Sequence, residues 1–227
     1  MDSGIGGTWT LEKIKQLLPN ENYIFFMDKF NAPYGNKTRR KLKQLAFHHI
    51  KKITSIFDVK LVVLACNTLS SVAYEFLKQK FVNLPIIKIE PYILPRNFEN
   101  ENTLILATKN TIKFNKNLNR YNSCSNIYLK GFGNLAKKID NASGNYNQIQ
   151  KYLTKQLAFY KRRNIKNVVL GCTHFNFIKQ QIKTALGDDI KFFENSDVVA
   201  KNVKNVLSKL SLLQKTNKQG QTLFLYK

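Results

Sequence analysis

At 227 residues the chain is long enough to bury a sizeable core, as one large domain or two small ones. With 43% hydrophobic and 12% aromatic residues it is neither wholly disordered nor collagen-like. Lys and Arg total 37 against 14 Asp and Glu, a formal charge of +23 that invites an anionic partner.

Short apolar runs alternate with longer amphipathic segments, the pattern of βα units around parallel strands. Asp2–Gly7 reads as a Gly-rich turn. Tyr23–Met27 reads as a strand, and 38–56 as a helix with Leu42, Leu45, Ala46, His49, Ile50 and Ile53 at helical spacing. A buried strand over 60–65 leads into the polar turn Cys66-Asn67-Thr68 and a helix to about Gln79. A short strand follows over 84–89, and then Pro91 and Pro95 punctuate the chain. A second, similar series begins with a strand over 103–107 that the polar Thr108-Lys109-Asn110-Thr111 ends. A strand over 126–129, a helix over 146–163 and a strand over 167–170 come next. Gly171-Cys172-Thr173-His174 then opens a helix to about Leu186, followed by a strand over 191–193 and a helix over 198–213. The tail from Gln214 is polar with an apolar end and has no assigned place.

Two features bear on the charge and the setting. Lys far outnumbers Arg, Asn is abundant, and the Lys is spread over nearly every segment, as an A+T-biased coding sequence would give. Dedicated nucleic-acid readers favour Arg and gather their charge on one face, so nonspecific attraction of anions or nucleic acid is all the charge implies. Cys66, Cys124 and Cys172 are too scattered for a disulfide framework and lack zinc-ligand spacing, so no metal and a reduced cytoplasmic setting are expected. There is no run of about 18 apolar residues for a membrane span, and MDSGIGG is no signal peptide.

One construction occurs twice: strand, then Cys, Thr and a third polar residue, then helix. Leu61–Thr68 matches Val168–His174 in form. Ligands of parallel α/β sheets bind just beyond the carboxyl ends of strands, and helix N-terminal amides there lower a thiol pKa and attract anions. A lone buried Cys is ordinarily inert, but two in matching contexts are not readily explained that way. Facing each other across a cleft, one thiolate removes a proton from a substrate carbon while the other thiol delivers one to the opposite face. Against a free thiol pKa of about 8.5, such a pair needs proton-handling neighbours. His174 is the candidate beside Cys172, and Asp2 beside Cys66. His48 and His49 read as surface or packing residues, and Cys124 as incidental.

Asp2-Ser3-Gly4-Ile5-Gly6-Gly7, Pro33-Tyr34-Gly35, Ala65-Cys66-Asn67-Thr68 and Gly171-Cys172-Thr173-His174 resemble, in order and at comparable spacing, four motif blocks of the bacterial glutamate racemases. Ile89-Glu90-Pro91 and Leu106-Ala107-Thr108, with Thr111, resemble two further landmarks, so the resemblance spans nearly the whole chain. It implies two pseudo-symmetric α/β domains with parallel-rich sheets and the active site in the cleft between them. The expected division is 1–91 plus about 194–227 for the first domain and 92–193 for the second. It further implies cofactor-independent racemisation of L- and D-glutamate, supplying D-glutamate for peptidoglycan. Cys66 and Cys172 would be the acid/base thiols, assisted by Asp2 and His174. Asp2, Ser3, Tyr34, Gly35, Asn67, Thr68, Thr173 and His174 would hold the substrate. A small-molecule amino acid is then the partner, with no cofactor, no membrane and room for a homodimer. Aspartate racemase or a related two-thiol racemase, or a catalytically impaired homologue acting as a basic nucleic-acid-binding or partner-binding protein, is the alternative.

Three departures from the family pattern are visible. Only Met1 precedes Asp2 where an apolar strand is usual, so a truncated start and a poorly ordered Asp2 and Ser3 are expected. The stretch Tyr128–Gly133 lacks the usual carboxylate. Phe193-Glu194-Asn195-Ser196 stands where an Asp-Ser-Gly turn is usual.

Overall fold

A computed structural model describes residues 1–93 and 101–227; Pro95, read above as a breaker, lies outside the described residues. The most apolar runs form the best-buried strands. β4 (Thr103–Thr108) and β6 (Asn167–Gly171) are buried at every residue, as parallel strands covered on both faces must be. They lie at the centre of a four-stranded parallel sheet, order β5-β4-β6-β7, with β5 (Ile127–Phe132) and β7 (Lys191–Phe193) at its edges. Leu104, Leu106, Val168 and Leu170 point to one face. There they meet Leu153 and Leu157 of α6 (Asn147–Lys161), Ile182 of α7 (Lys179–Leu186), and Phe175 in a 3-10 segment, Thr173–Ile178. Ile105 and Val169 point to the other, against Leu118 and Tyr121.

The remaining strands make a second parallel array. β2 (Val62–Leu64) pairs β3 (Ile86–Lys88), and β1 (Tyr23–Met27) pairs β8 (Thr222–Tyr226). Met1 and Asp2 join the two pairs. Asp2 N–H donates to the Phe26 carbonyl and Asp28 N–H to that of Asp2, while the Met1 ammonium donates to Val63 and Ala65 N–H to Met1. The expected loose start is therefore corrected: Asp2 is fully buried and Ser3 nearly so, because backbone ladders hold this short segment on both sides. One face of the array packs on α2 (Arg39–Thr54) and α3 (Asn67–Lys80) through Leu42, Ala46, Ile50, Leu64, Leu69 and Leu77. The other packs on α1 (Gly6–Leu17) and α8 (Ser196–Lys209) through Ile14, Ile87, Ile89, Val199 and Val203.

Several boundaries differ from expectation. Residues Gly6 onward are not a turn but the first turn of α1, where a small residue is demanded by packing rather than by φ. Thr108 does not merely end β4; its hydroxyl accepts from Thr111 N–H and caps a short helix, α4 (Lys109–Phe114). Gly171–His174 opens a 3-10 turn before α7, and α8 stops at Lys209. The unassigned tail returns as β8, held at its approach by Gln214 N–H on Glu21 Oε1 (2.8 Å) and by Lys60 bridging Glu21 (2.6 Å). Short helix α5 (Leu135–Asn141) was not anticipated.

Candidate active site

Both motif cysteines end a strand of their own sheet and begin the helical turn that follows. Cys66 is the extended residue before α3, and Cys172 the extended residue before Thr173–Ile178. Both are buried and unbridged; Cys124 is half-buried and lies elsewhere. The two thiols line one small cavity together with Ser3, Tyr34 and Gly35 from the N-terminal region. Asn67, Thr68, Thr173 and His174 complete the expected set, and Thr108 and Gly133 close the wall. Asp2 lies behind this wall. The cavity is only about 10 Å³, smaller than an amino acid. Larger hollows, about 390 Å³ against Asn36, Lys37, Lys137 and Lys138 and about 700 Å³ beneath Met1, contain neither thiol.

An ionisable side chain lies near each thiol. His174 Nδ1 is 3.9 Å from Cys172 Sγ, and its Nε2 is 3.1 Å from Asp140 Oδ1. Burial alone would push this imidazole down, but the hydrogen bonds to Asp140 and Cys172 and the nearby negative charge hold it well above its ordinary value. Asp140 is the residue that sequence reading missed. The usual acid is lacking in β5, and Asp140 reaches the histidine from α5 instead, also accepting Ile5 N–H at 3.1 Å beside the start of α1. Nothing in its local sequence signals this, because its partner lies 34 residues away.

On the other side, Asp2 Oδ2 accepts from Thr173 Oγ1 at 3.0 Å, and Asp2 Oδ1 accepts from the backbones of Ser3 and Gly4. Burial raises the Asp2 carboxyl despite the lowering effects of His174 and Thr173. Burial, then the Asp2 charge, pushes the Cys66 thiol well above its ordinary value; the amides of Leu69 and Thr68 pull the other way without prevailing. The expectation that helix amides would depress this thiol is thus corrected by the greater cost of desolvation. Tight contact between the halves here depends on glycine. A Cβ on Gly6 would stand 2.4 Å from His174 Nδ1 and 2.5 Å from Thr173 Oγ1, and one on Gly7 2.6 Å from Asp2 Cβ.

The polar wall has spare capacity. Asn67 Oδ1 is buried and has no hydrogen-bond partner among the described residues, an orphan that calls for a ligand. Thr68, Thr108 and Thr111 form a hydroxyl chain across the halves, with Oγ1 separations of 2.8, 2.9 and 3.3 Å. Tyr34 is held differently: its O–H donates to Asp28 Oδ2 at 2.7 Å, and that carboxylate also takes Asn31 and His49. Tyr34 therefore offers the cavity its ring and main chain. His49 is a buried packing residue and His48 is exposed, as expected. At the other joint, Asn195 Nδ2 donates to the Glu90 carbonyl (3.0 Å) and Glu194 accepts Ser196 N–H (2.7 Å), which ties the segment Phe193–Ser196 to Glu90. Among the described residues no cluster of three or more His, Cys, Asp or Glu side chains is arranged for a metal ion. None of their helices is long and apolar enough to cross a membrane.

Two parallel α/β sheets with a paired-thiol cavity at their carboxyl ends define the class. Comparison with known proteins narrows it. No family model matches the chain. The glutamate racemase of Clostridium novyi is 34% identical over 224 residues, 96% of this chain and 86% of that protein. That of Clostridium botulinum is 33% identical over the same shares. Among solved structures, glutamate racemase from Francisella tularensis in complex with D-glutamate superposes with a TM-score of 0.81 at 27% identity, covering 100% of this chain and 86% of that one. Escherichia coli glutamate racemase, at 23% identity and a TM-score of 0.82 over 98% and 86% of the chains, shares the fold. The chain belongs to the glutamate racemase family.

Proposed function

We propose that the protein interconverts L- and D-glutamate by proton transfer at Cα between Cys66 and Cys172, with no cofactor. One observation carries this reading: both thiols line the same closed cavity, one backed by His174 and Asp140, the other by Asp2. In the resting state Cys66 is the protonated thiol, since burial disfavours its thiolate, and His174, 3.9 Å from Cys172 Sγ, is placed to take up the proton of that thiol as it acts as base. The Cα–H proton of one enantiomer passes to Cys172 Sγ, and the Cys66 S–H proton passes to the opposite face of the carbanion. The reverse direction begins with Cys66 as thiolate, and Asp2, a stronger base for being buried, takes its proton.

Substrate binding follows from the same residues. The free amide end of Asn67 and the hydroxyls of Thr68 and Thr173 suit the α-substituents, and Ser3, Tyr34 and Gly35 border the remaining space. Lys37, Lys137 and Lys138 at the neighbouring hollow suit the attraction of a substrate that carries two carboxylates and a net negative charge. We assign 1–91 with 194–227 to one domain and 92–193 to the other, following the two sheets. The product role is D-glutamate supply for peptidoglycan in the cytoplasm. Incubation with L-glutamate, followed by circular dichroism, tests the activity. The optical signal should decay to zero with the intact protein and stay constant with Cys66→Ala or Cys172→Ala; decay with either variant overturns the two-thiol reading.

A further inference from the structure

The loop that carries Pro33, Tyr34 and Gly35 belongs to the half that holds Cys66, where Tyr34 packs with Leu42 and Leu69. It is tied down, however, by the other half. Tyr34–Asn36 is a single 3-10 turn, whose end leaves carbonyls without helical partners. Asn110, the second residue of α4, supplies what is missing. Its Nδ2 donates to the Tyr34 carbonyl at 3.2 Å and to the Lys37 carbonyl at 2.8 Å, so both amide hydrogens are used. Beside it, Asn36 Nδ2 donates at 2.7 Å to Oδ1 of Asn134, the residue before α5. Within this seam Gly35 lies against Thr108, where a Cβ would stand 3.1 Å from that of Thr108.

The seam divides two spaces. Inside is the thiol cavity, which Pro33, Tyr34, Gly35, Thr108 and Gly133 help to line. Outside is the hollow of about 390 Å³, lined by asparagines and three lysines with no Asp or Glu among them. Pro33 is a wall of both. The seam also differs from other ties between the halves. The Asp2–Thr173 and Thr68–Thr108 bonds are buried, whereas Asn36 and Asn134 are exposed and Asn110 is half-buried. Water can replace the partners of an exposed amide as they separate, so such bonds open at the least cost.

We propose that Asn110 and the Asn36–Asn134 pair form a clasp that holds the Pro33–Lys37 loop down as the gate between the outer hollow and the thiols. Asn110, Asn36 and Asn134 are positioning residues: none lines the thiol cavity, and each acts through the loop. Glutamate collects by its carboxylates in the donor-lined hollow, the clasp opens, and the loop closes behind the substrate with Tyr34 and Gly35 restored as its wall. Tyr34 O–H on Asp28 (2.7 Å) keeps the loop on its own half throughout, so opening parts it from Thr108 and not from α2. The identity of the guest rests on the racemase reading above; the gate does not.

The test reads access to the thiols and needs no turnover. Iodoacetamide is applied to the folded protein at one pH, and alkylation of Cys66, Cys172 and Cys124 is followed separately by peptide mass mapping. Asn134→Ala loses one hydrogen bond and should speed labelling of Cys66 and Cys172 by roughly fivefold. Asn110→Ala and Asn110→Asp each lose two and should speed it by roughly ten- to thirtyfold. Asn134→Asp keeps an acceptor for Asn36 Nδ2 and should label within about twofold of the parent. Cys124, half-buried and elsewhere, should label at one rate throughout. Unchanged labelling of the motif thiols in the Asn110 variants and Asn134→Ala overturns the proposal. So does equal acceleration of Cys124, which signals general loosening, or acceleration by Asn134→Asp that matches Asn134→Ala. The exposed Asn134 pair decides the matter if the Asn110 variants misfold. Absent racemisation alongside the expected labelling rates would count against the racemase reading alone.

Discussion

Asp140→Asn is the most informative substitution in the site. The asparagine keeps size and shape, and its Oδ1 can still accept Ile5 N–H, so the start of α1 stays supported. What disappears is the negative charge 3.1 Å from His174 Nε2. A hydrogen bond to a charged group is worth about 1.5–3 kcal/mol. If the imidazolium is needed at its full strength only while the proton moves, that loss becomes a fall in kcat of roughly ten- to hundredfold. KM should change little, since Asp140 does not line the thiol cavity. The sign with pH is also fixed. Asp140 helps hold the folded-state His174 above its ordinary value, so its removal moves the His174 limb of the pH–rate profile to lower pH. By linkage, the stabilisation from His174 is complete below its unfolded pKa of about 6.5 and fades as pH rises through the folded value. The Tm deficit of the variant should therefore be largest in mild acid and shrink in base. Racemisation of glutamate across pH, read by circular dichroism, together with thermal melts, provides the data. A kcat within twofold of the parent and an unmoved pH limb would refute the reasoning.

Other expectations follow from the same geometry. Gly6→Ala drives a methyl to within 2.4 Å of His174 Nδ1 and should abolish racemisation and lower Tm, whereas an alanine accepted with full activity would show that the halves are not locked there. The Asp28 carboxyl is held down at about 2, its burial outweighed by hydrogen bonds from His49, Asn31 and Tyr34. Its contribution, on the order of 2 kcal/mol, is present above pH ~4 and lost as pH falls through about 2. Asp28→Asn should thus destabilise the protein at neutral pH and cease to matter in strong acid, as urea melts at several pH values would reveal. Lys37→Glu with Lys137→Glu should lower kcat/KM for glutamate with little effect on kcat, and added salt should erase much of the difference; a salt-independent loss would remove steering as the cause.

The strands were legible because buried parallel strands are continuous apolar runs. Thr103–Ala107 and Asn167–Leu170 lie within one residue of β4 and β6 at each end. Helix α1 was not, since Gly6 and Gly7 look like a turn and serve instead to let the helix approach Asp2, Thr173 and His174. β8 was hidden by its polar flank, and its pairing with β1 is set by a partner some 200 residues earlier in the chain. Of the site, Cys66, Cys172, His174 and the Thr and Asn residues could be read from two matching strand–turn constructions. Asp140 could not, because a helix carries it to His174 through tertiary packing alone. The +23 charge, prominent in the composition, leaves its mark beside the site as Lys37, Lys137 and Lys138 at the neighbouring hollow.

The most direct test of the two-thiol account is glutamate turnover in deuterium oxide, stopped while little product has formed. With opposed thiols, the newly formed enantiomer carries deuterium at Cα and the unreacted enantiomer keeps its proton. Deuterium in both enantiomers at that stage, or inversion without deuterium, would contradict it.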